Sequence, residues 1–284
     1  MKTILITGSK GQLGSELKQL AGNYPAFNFL FTDVDELDIT NKRVIDEFVS
    51  QHAVGYIVNC AAYTAVDAAE DNVELCYAIN RDAVRNIGEV AEKYHIKLLH
   101  VSTDYVFNGK SYIPYTEDVG VAPESVYGKS KLAGELALNE VSPQSIIIRT
   151  SWLYSSFGNN FVKTMIRLGK ERENLNVVFD QVGTPTYAAD LAQVILLILS
   201  SDMWYPGIYH FSNEGVCSWY DFTKSIHRIA NITCNVQPIL SKEYPTKAVR
   251  PFYSVLDKNK IKKTYNISIP HWEESLRKCM ELMS

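Results

Sequence analysis

Over residues 1–150, short apolar runs rich in β-branched side chains alternate with segments of helical periodicity, and the connections are short. "KTILITG", "FNFLFTD", "VGYIVNCAA", "IKLLHVSTD" and "QSIIIRTS" read as strands that are apolar on both faces. Between them, "GQLGSELKQLAG", "NKRVIDEFVSQH", "DNVELCYAINRDAVRNIGEVAEKY" and residues 125–140 read as helices. A strand apolar on both faces has to be covered on both. Helices alternating with strands do this by flanking a parallel sheet on its two sides. The expected class is therefore α/β, a doubly wound parallel sheet.

After residue 150 the rhythm loosens. Helices are expected near 159–172, 187–201, 218–230 and 272–283, strands at "NVVFD" and "GIYHFSN", and a turn at "QVGTPTY". Pro238, Pro245, Pro251 and Pro270 break up the C-terminal part. Residues 151–284 are expected to form a smaller, irregular lobe that caps the C-terminal strand ends, with some segments returning to the core.

Bulk composition narrows the partners. The 284 residues are 46% hydrophobic and 21% charged, ordinary for a globular chain, with a formal net charge of -4. No Lys/Arg run marks a nucleic-acid surface. The apolar run "VILLILS" is far shorter than the ~20 residues that span a bilayer, and the N-terminal apolar run passes straight into glycines. Five scattered cysteines in no CxxC or metal-ligand spacing suit reduced thiols in a cytoplasmic setting.

"TGSKGQLG" places Gly8, Gly11 and Gly14 between the first strand and the first helix. Such a turn lets a pyrophosphate approach backbone N–H groups at a helix N-terminus. Residues 1–150 are thus expected to be a Rossmann-like dinucleotide-binding domain. Asp33, at the end of the second strand, is placed to bond the adenosine ribose and favours NADH. Lys10 in the loop could meet a 2′-phosphate, so NADPH stays open.

A second constellation carries chemistry. Thr103 ends the fourth strand, and Tyr127 and Lys131 lie one turn apart on the following helix. Reduction of a carbonyl needs a proton donor as hydride arrives. A free Tyr, with pKa ~10, is a poor one near neutral pH. An ammonium one turn away is expected to lower that value. Thr103 is expected to hold the substrate oxygen. Asp104 is either an acid supporting that site or a loop acid.

These three glycines with Thr103, Tyr127 and Lys131 resemble the extended short-chain dehydrogenase/reductase superfamily. The strings "NCAAYTAVDAAE", "AINRDAV", "STDYVF", "VYGKSKLAGE", "RTSWLY", "GNNFVKTM", "DQVGTPT" and "RPFYSVLD" resemble, in order, the dTDP-4-dehydrorhamnose reductase family. That resemblance implies reduction of the C4 ketone of dTDP-4-dehydro-L-rhamnose by NADH or NADPH. The reaction is the last step of dTDP-rhamnose synthesis, which feeds surface polysaccharide. It implies Thr103, Tyr127 and Lys131 as the catalytic set, with Tyr127 the proton donor and Lys131 on the nicotinamide ribose. Gln12, Leu13, Ala61, Ala62 and Tyr63 would line the cofactor, and Asp38 the adenine. Val66, Asp104, Tyr105 and Trp152 would meet the sugar.

Within that reading Asn160 offers an amide and Arg250 a diphosphate fork, with Lys163 as runner-up. Trp152 stacks on sugar or base, or fills the core. Gln181, Thr184 and Thr186 shape the cleft or its hinge. Some family members hold magnesium at a subunit interface through Glu residues. Glu16 fits one such position, but Ala189 stands where another Glu is expected, so no metal is expected, and the chain is a monomer or homodimer. The alternatives are a reductase of a related nucleotide 6-deoxy-4-keto sugar, and a non-catalytic regulatory subunit similar to that of methionine adenosyltransferase. A dehydratase is disfavoured because Tyr105, not Glu, follows Asp104.

Overall fold

The computed structural model describes residues 2–201 and 203–283. The first half alternates as the sequence pattern requires: β1 (Lys2–Thr7), α1 (Gln12–Leu20), β2 (Phe27–Phe31), α2 (Lys42–His52) and β3 (Val54–Asn59). Asn41 caps α2 by accepting from the Arg43 and Val44 N–H groups. After β3 come α3 (Val66–Ala69), α4 (Val73–Tyr77) and α5 (Ala83–Lys93). The helix expected over 71–94 is helical without a break over 73–93, with a π turn at Ala78–Asp82 joining α4 to α5. Then follow β4 (Lys97–Thr103), α6 (Val126–Val141) and β5 (Ile146–Thr150). Ser125 begins α6, its hydroxyl accepting from the Gly128 N–H at 3.1 Å.

The second half supplies β6 (Leu153–Tyr154), α7 (Phe161–Glu171), β7 (Asn174–Val178), β8 (Val182–Gly183), β9 (Thr186–Tyr187) and α8 (Ala188–Ser200). β10 (Gly207–His210), β11 (Cys217–Ser218), α9 (Trp219–Ile229), β12 (Asn235–Ile239), α10 (Asn259–Tyr265) and α11 (Trp272–Glu281) complete it. Two of these carried no clear sequence signal. β12 contains Pro238, which weakens a strand pattern, yet it pairs in parallel with β7 at the edge of a two-stranded sheet, where proline is tolerated. α10 is only two turns long. "QVGTPTY", expected as a turn, forms the short strands β8 and β9 instead.

The main sheet has the order β10-β5-β4-β3-β1-β2, and its pairs are parallel. β2 and β3 lie on opposite sides of β1. The strand order therefore reverses beside β1, and a crevice opens at the C-terminal ends of β1 and β3. One face of the sheet packs on Leu13 and Leu17 of α1, Leu191 and Ile195 of α8, and Ile261 of α10. The other packs on Ile45 of α2, Val84 and Ile87 of α5, and Leu138 of α6. β10 and α8 belong to this assembly although they lie far along the chain. A separate apolar cluster holds the second lobe: Val162 and Met165 of α7, Phe222 and Ile226 of α9, and Leu276 of α11. Among the described residues no helix is long and apolar enough to cross a membrane.

One buried ion pair locks α6 to the sheet. Arg149 of β5 donates to Glu135 of α6 through Nε at 3.0 Å and Nη2 at 2.6 Å, and Ser102 of β4 donates to the same carboxylate at 2.5 Å. Both charges are almost fully buried. Removing one partner strands the other in low dielectric, at a cost of about 3–5 kcal/mol. Glu135→Leu is expected to lower the unfolding free energy in urea by that amount. The double variant with Arg149→Met should lose clearly less than the sum of the two single changes.

Candidate active site

A cavity of about 990 Å³ lies at the C-terminal edge of the sheet, between the first half of the chain and the second lobe. Its floor is the glycine loop. Gly8 has φ of 65°, and a Cβ there would lie 2.7 Å from the Ala61 backbone. At Gly14 a Cβ would lie 2.5 Å from the Gly8 carbonyl oxygen. Neither position admits a side chain. Gly11 begins α1 without a side-chain cap, so the first N–H groups of the helix have no side-chain acceptor of their own. Gly11, Gln12 and Leu13 line this end, with Ala61 and Ala62 opposite at the end of β3.

Asp33 and Asp38 also line the cavity. Asp33 accepts the Lys10 backbone N–H at 2.9 Å. The Lys10 ammonium contacts Asp35 at 2.8 Å and Glu36 at 3.2 Å. Two carboxylates therefore hold the Lys10 ammonium, and a third, Asp33, holds its backbone. Asp38 accepts both the backbone N–H and the hydroxyl of Thr40. Tyr63 does not line the cavity. Asn80 holds its backbone at both ends, accepting its N–H at 2.9 Å and donating to its carbonyl at 3.0 Å. Val66, a little further on, does line it.

Thr103, Asp104, Tyr105, Tyr127 and Lys131 converge on one wall. Tyr127 stands in the first turn of α6, edge-on to Tyr105 with ring centroids 5.4 Å apart. Burial raises the Tyr127 hydroxyl above its ordinary value, partly offset by the Thr103 hydroxyl. This departs from the sequence expectation of a lowered value. The physical reason is where Lys131 points: its amine donates to the Val101 carbonyl at 2.7 Å and meets His100 Nε2 at 3.3 Å. Burial also lowers Lys131, to about 8. Thr103 donates to Asp104 at 3.0 Å and accepts the Tyr105 N–H. Burial pushes the Asp104 carboxyl up to about 6, and its Oδ2 has no partner.

The second lobe closes the cavity. Trp152 has φ of 48°, a left-handed backbone for a bulky residue, and its ring lies flat on Trp219 with centroids 3.5 Å apart. Thr186 and Thr184 lie behind it. Thr186 donates its N–H to the Trp152 carbonyl, and the Thr184 carbonyl accepts the Ser151 hydroxyl. Gln181 bonds Ser241. These three residues do not line the cavity. Asn160 caps α7 through the Lys163 N–H and donates to Gln12 Oε1 at 3.0 Å, joining the lobe to the glycine loop. Lys163 reaches back to the Gly158 carbonyl and stays outside. Arg250 lines the cavity with its fork held by Asp67 at 3.0 and 2.7 Å. That bond holds the Asp67 carboxyl down at about 2.

Among the described residues no group of three or more His, Cys, Asp or Glu side chains is placed to hold a metal ion. Glu16 is buried and accepts the Ser155 hydroxyl at 2.6 Å.

The RmlD substrate binding domain family matches residues 1–284. A dTDP-4-dehydrorhamnose reductase from Aggregatibacter actinomycetemcomitans is 42% identical over 288 aligned positions, covering 98% of both chains. The chain belongs to the dTDP-4-dehydrorhamnose reductase family. A crystallised member from Clostridium acetobutylicum is 43% identical with a TM-score of 0.94, covering 99% of each chain. Another, from Bacillus anthracis in complex with NADP, is 42% identical with a TM-score of 0.95, covering 99% of this chain and 100% of that one.

Within this family member several site residues escaped sequence reading. Trp219 lines the cavity, but in "SWYDFTKSIHRIA" it reads as an apolar helix position. Asn59 and His100 are buried polar residues inside apolar strand runs, and Asn80 is buried within a helical stretch just before Arg81 and Asp82. Buried polar groups are rare enough that this placement is itself a signal of a built network.

Asp104 supplies a pH test. Its folded value lies above the ordinary carboxylate value, so it opposes folding once ionised. The stability it permits is full below about pH 4 and is lost as pH rises through about 6. Relative to wild type, Asp104→Asn should gain about 3 kcal/mol between those limits, read as a thermal-unfolding difference that widens with pH. A difference that stays flat with pH would contradict the placement.

Proposed function

We propose that the chain reduces the C4 ketone of dTDP-4-dehydro-L-rhamnose to dTDP-L-rhamnose, taking hydride from NADH or NADPH, with Tyr127 as proton donor. The observation that carries this reading is that Tyr127, Lys131 and Thr103 line the same cavity as the glycine loop and the second lobe. Residues 1–150 would hold the dinucleotide and residues 151–284 most of the nucleotide-sugar. The likeness to relatives named for this reaction supports the substrate. The absence of a Lys/Arg run speaks against nucleic acid. Five free cysteines fit a cytoplasmic enzyme.

The site residues fit the chemistry. The glycine loop and the open start of α1 would take the pyrophosphate, and Asp33 the adenosine ribose. The reduced nicotinamide, when bound, supplies the hydride. Tyr127 would then give its proton to the C4 oxygen. Its raised value holds the proton on Tyr127 in the free site, and transfer would need the negative charge that grows on that oxygen. The Thr103 hydroxyl, which donates to Asp104 in the free site, would turn its proton to the developing oxyanion beside Tyr127. Arg250 would face the diphosphate, and the Trp152–Trp219 pair the apolar face of the sugar or base.

The test is oxidation of NADH and of NADPH with enzymatically prepared dTDP-4-dehydro-L-rhamnose. Tyr127→Phe should lower kcat at least about 10²-fold while leaving cofactor affinity within a few-fold. The carboxylates Asp33, Asp35 and Glu36 around Lys10 predict a higher kcat/KM with NADH. Tight cofactor binding with no turnover would favour the partner-binding subunit. Turnover only of a different 4-keto sugar would favour the related reductase.

A further inference from the structure

Beneath the Tyr127–Lys131 wall runs a buried polar chain that joins three elements: Thr7 of β1, Asn59 of β3 and His100 of β4. Asn59 Oδ1 accepts the Thr7 hydroxyl at 2.7 Å and the Ala61 backbone N–H at 3.2 Å. A backbone N–H can only donate, so the amide orientation of Asn59 is fixed. Its Nδ2 therefore faces His100 Nδ1, 3.1 Å away, and donates to it. A neutral imidazole that accepts at Nδ1 carries its proton on Nε2. That Nε2 lies 3.3 Å from the Lys131 amine. An ammonium there would set donor against donor, whereas a neutral amine accepts the bond and still donates to the Val101 carbonyl.

We propose that His100 is a positioning residue whose Nε2–H, its tautomer set by Asn59, biases Lys131 toward the neutral amine. The remaining groups around Lys131 do not reverse this. Glu135, one turn along α6, is taken up by Arg149 and Ser102. The Cys60 thiol is pushed up to about 12 by burial, Cys76 sits against Ser130, and the Tyr127 hydroxyl is held protonated. Burial by itself also lowers Lys131, and burial followed by the Lys131 charge keeps His100 neutral. The consequence for the reaction rests on the reductase reading. The ammonium form that would meet the nicotinamide ribose is lost as pH rises through about 8, so activity should fall there.

The experiment is NMR on the full chain labelled with [15N]histidine and [13Cε]lysine, with His100→Gln and Lys131→Arg assigning the two signals. The expected result is His100 in the Nε2–H tautomer from about pH 6 to about pH 10. Lys131 should titrate near 8 and move up by about one pH unit or more in His100→Gln. The alkaline limb of kcat/KM should move with it, which a merely structural role would not produce. An Nδ1–H tautomer, or a Lys131 midpoint that is the same in both proteins, overturns the proposal. Should His100→Gln not fold, Asn59→Asp replaces it. There the tautomer should switch to Nδ1–H and the Lys131 midpoint rise, and an unchanged tautomer is the contrary result. The NMR signals need no substrate. A shifted midpoint without turnover would therefore refute the proposed reaction and leave the His100–Lys131 coupling standing.

Discussion

The Glu135 carboxylate, gripped by Arg149 and Ser102, determines where α6 lies against the sheet. Tyr127, Lys131 and Glu135 follow one another at one-turn intervals on that helix, so an anchor at the third places the first two. Tyr127 reaches the cavity wall from the first turn, and Lys131 is set over His100 and Val101. Without the ion pair, α6 would rest on apolar contacts with α5 and the sheet, which resist sliding less than directed bonds do. The pair does not of itself make the fold more stable than an apolar core would. Its contribution is register: two charged partners on different elements permit one alignment.

The same logic joins the two halves around the cavity. Asn160 bonds Gln12, Ser155 bonds Glu16, and Arg250 bonds Asp67, each contact linking the second lobe to the first half of the chain. These bonds, with the Lys247–Asp71 ion pair, tie the lobe to the first half of the chain. The left-handed backbone at Trp152 is a local cost accepted beside the cavity. It turns the indole onto Trp219 and keeps it at the cavity wall, so Trp152 both packs on the lobe and lines the cavity.

The sheet strands and their covering helices were legible because a parallel sheet demands continuous apolar runs, and Ile4, Ile57, Leu99 and Ile148 supply them. Gly8 and Gly14 were legible because their reason is local backbone geometry. The reach of Lys131 was not. Helical spacing places Lys131 beside Tyr127, but only the fold brings His100 and the Val101 carbonyl closer to its amine. Asn80 and Tyr63 failed for a related reason: the pairing that turns Tyr63 away from the cavity spans a π turn with no compositional mark. β12 stayed hidden because Pro238 counts against a strand unless its edge position is known.

The central claim is that this cavity delivers hydride to a sugar ketone. The most direct measurement uses NADH with both hydrogens at nicotinamide C4 replaced by deuterium, with dTDP-4-dehydro-L-rhamnose and the wild-type chain, and locates the label in the product by mass spectrometry and NMR. The account predicts one deuterium at sugar C4, with dTDP-L-rhamnose as product. Label at any other carbon, or product formed without label, would contradict it.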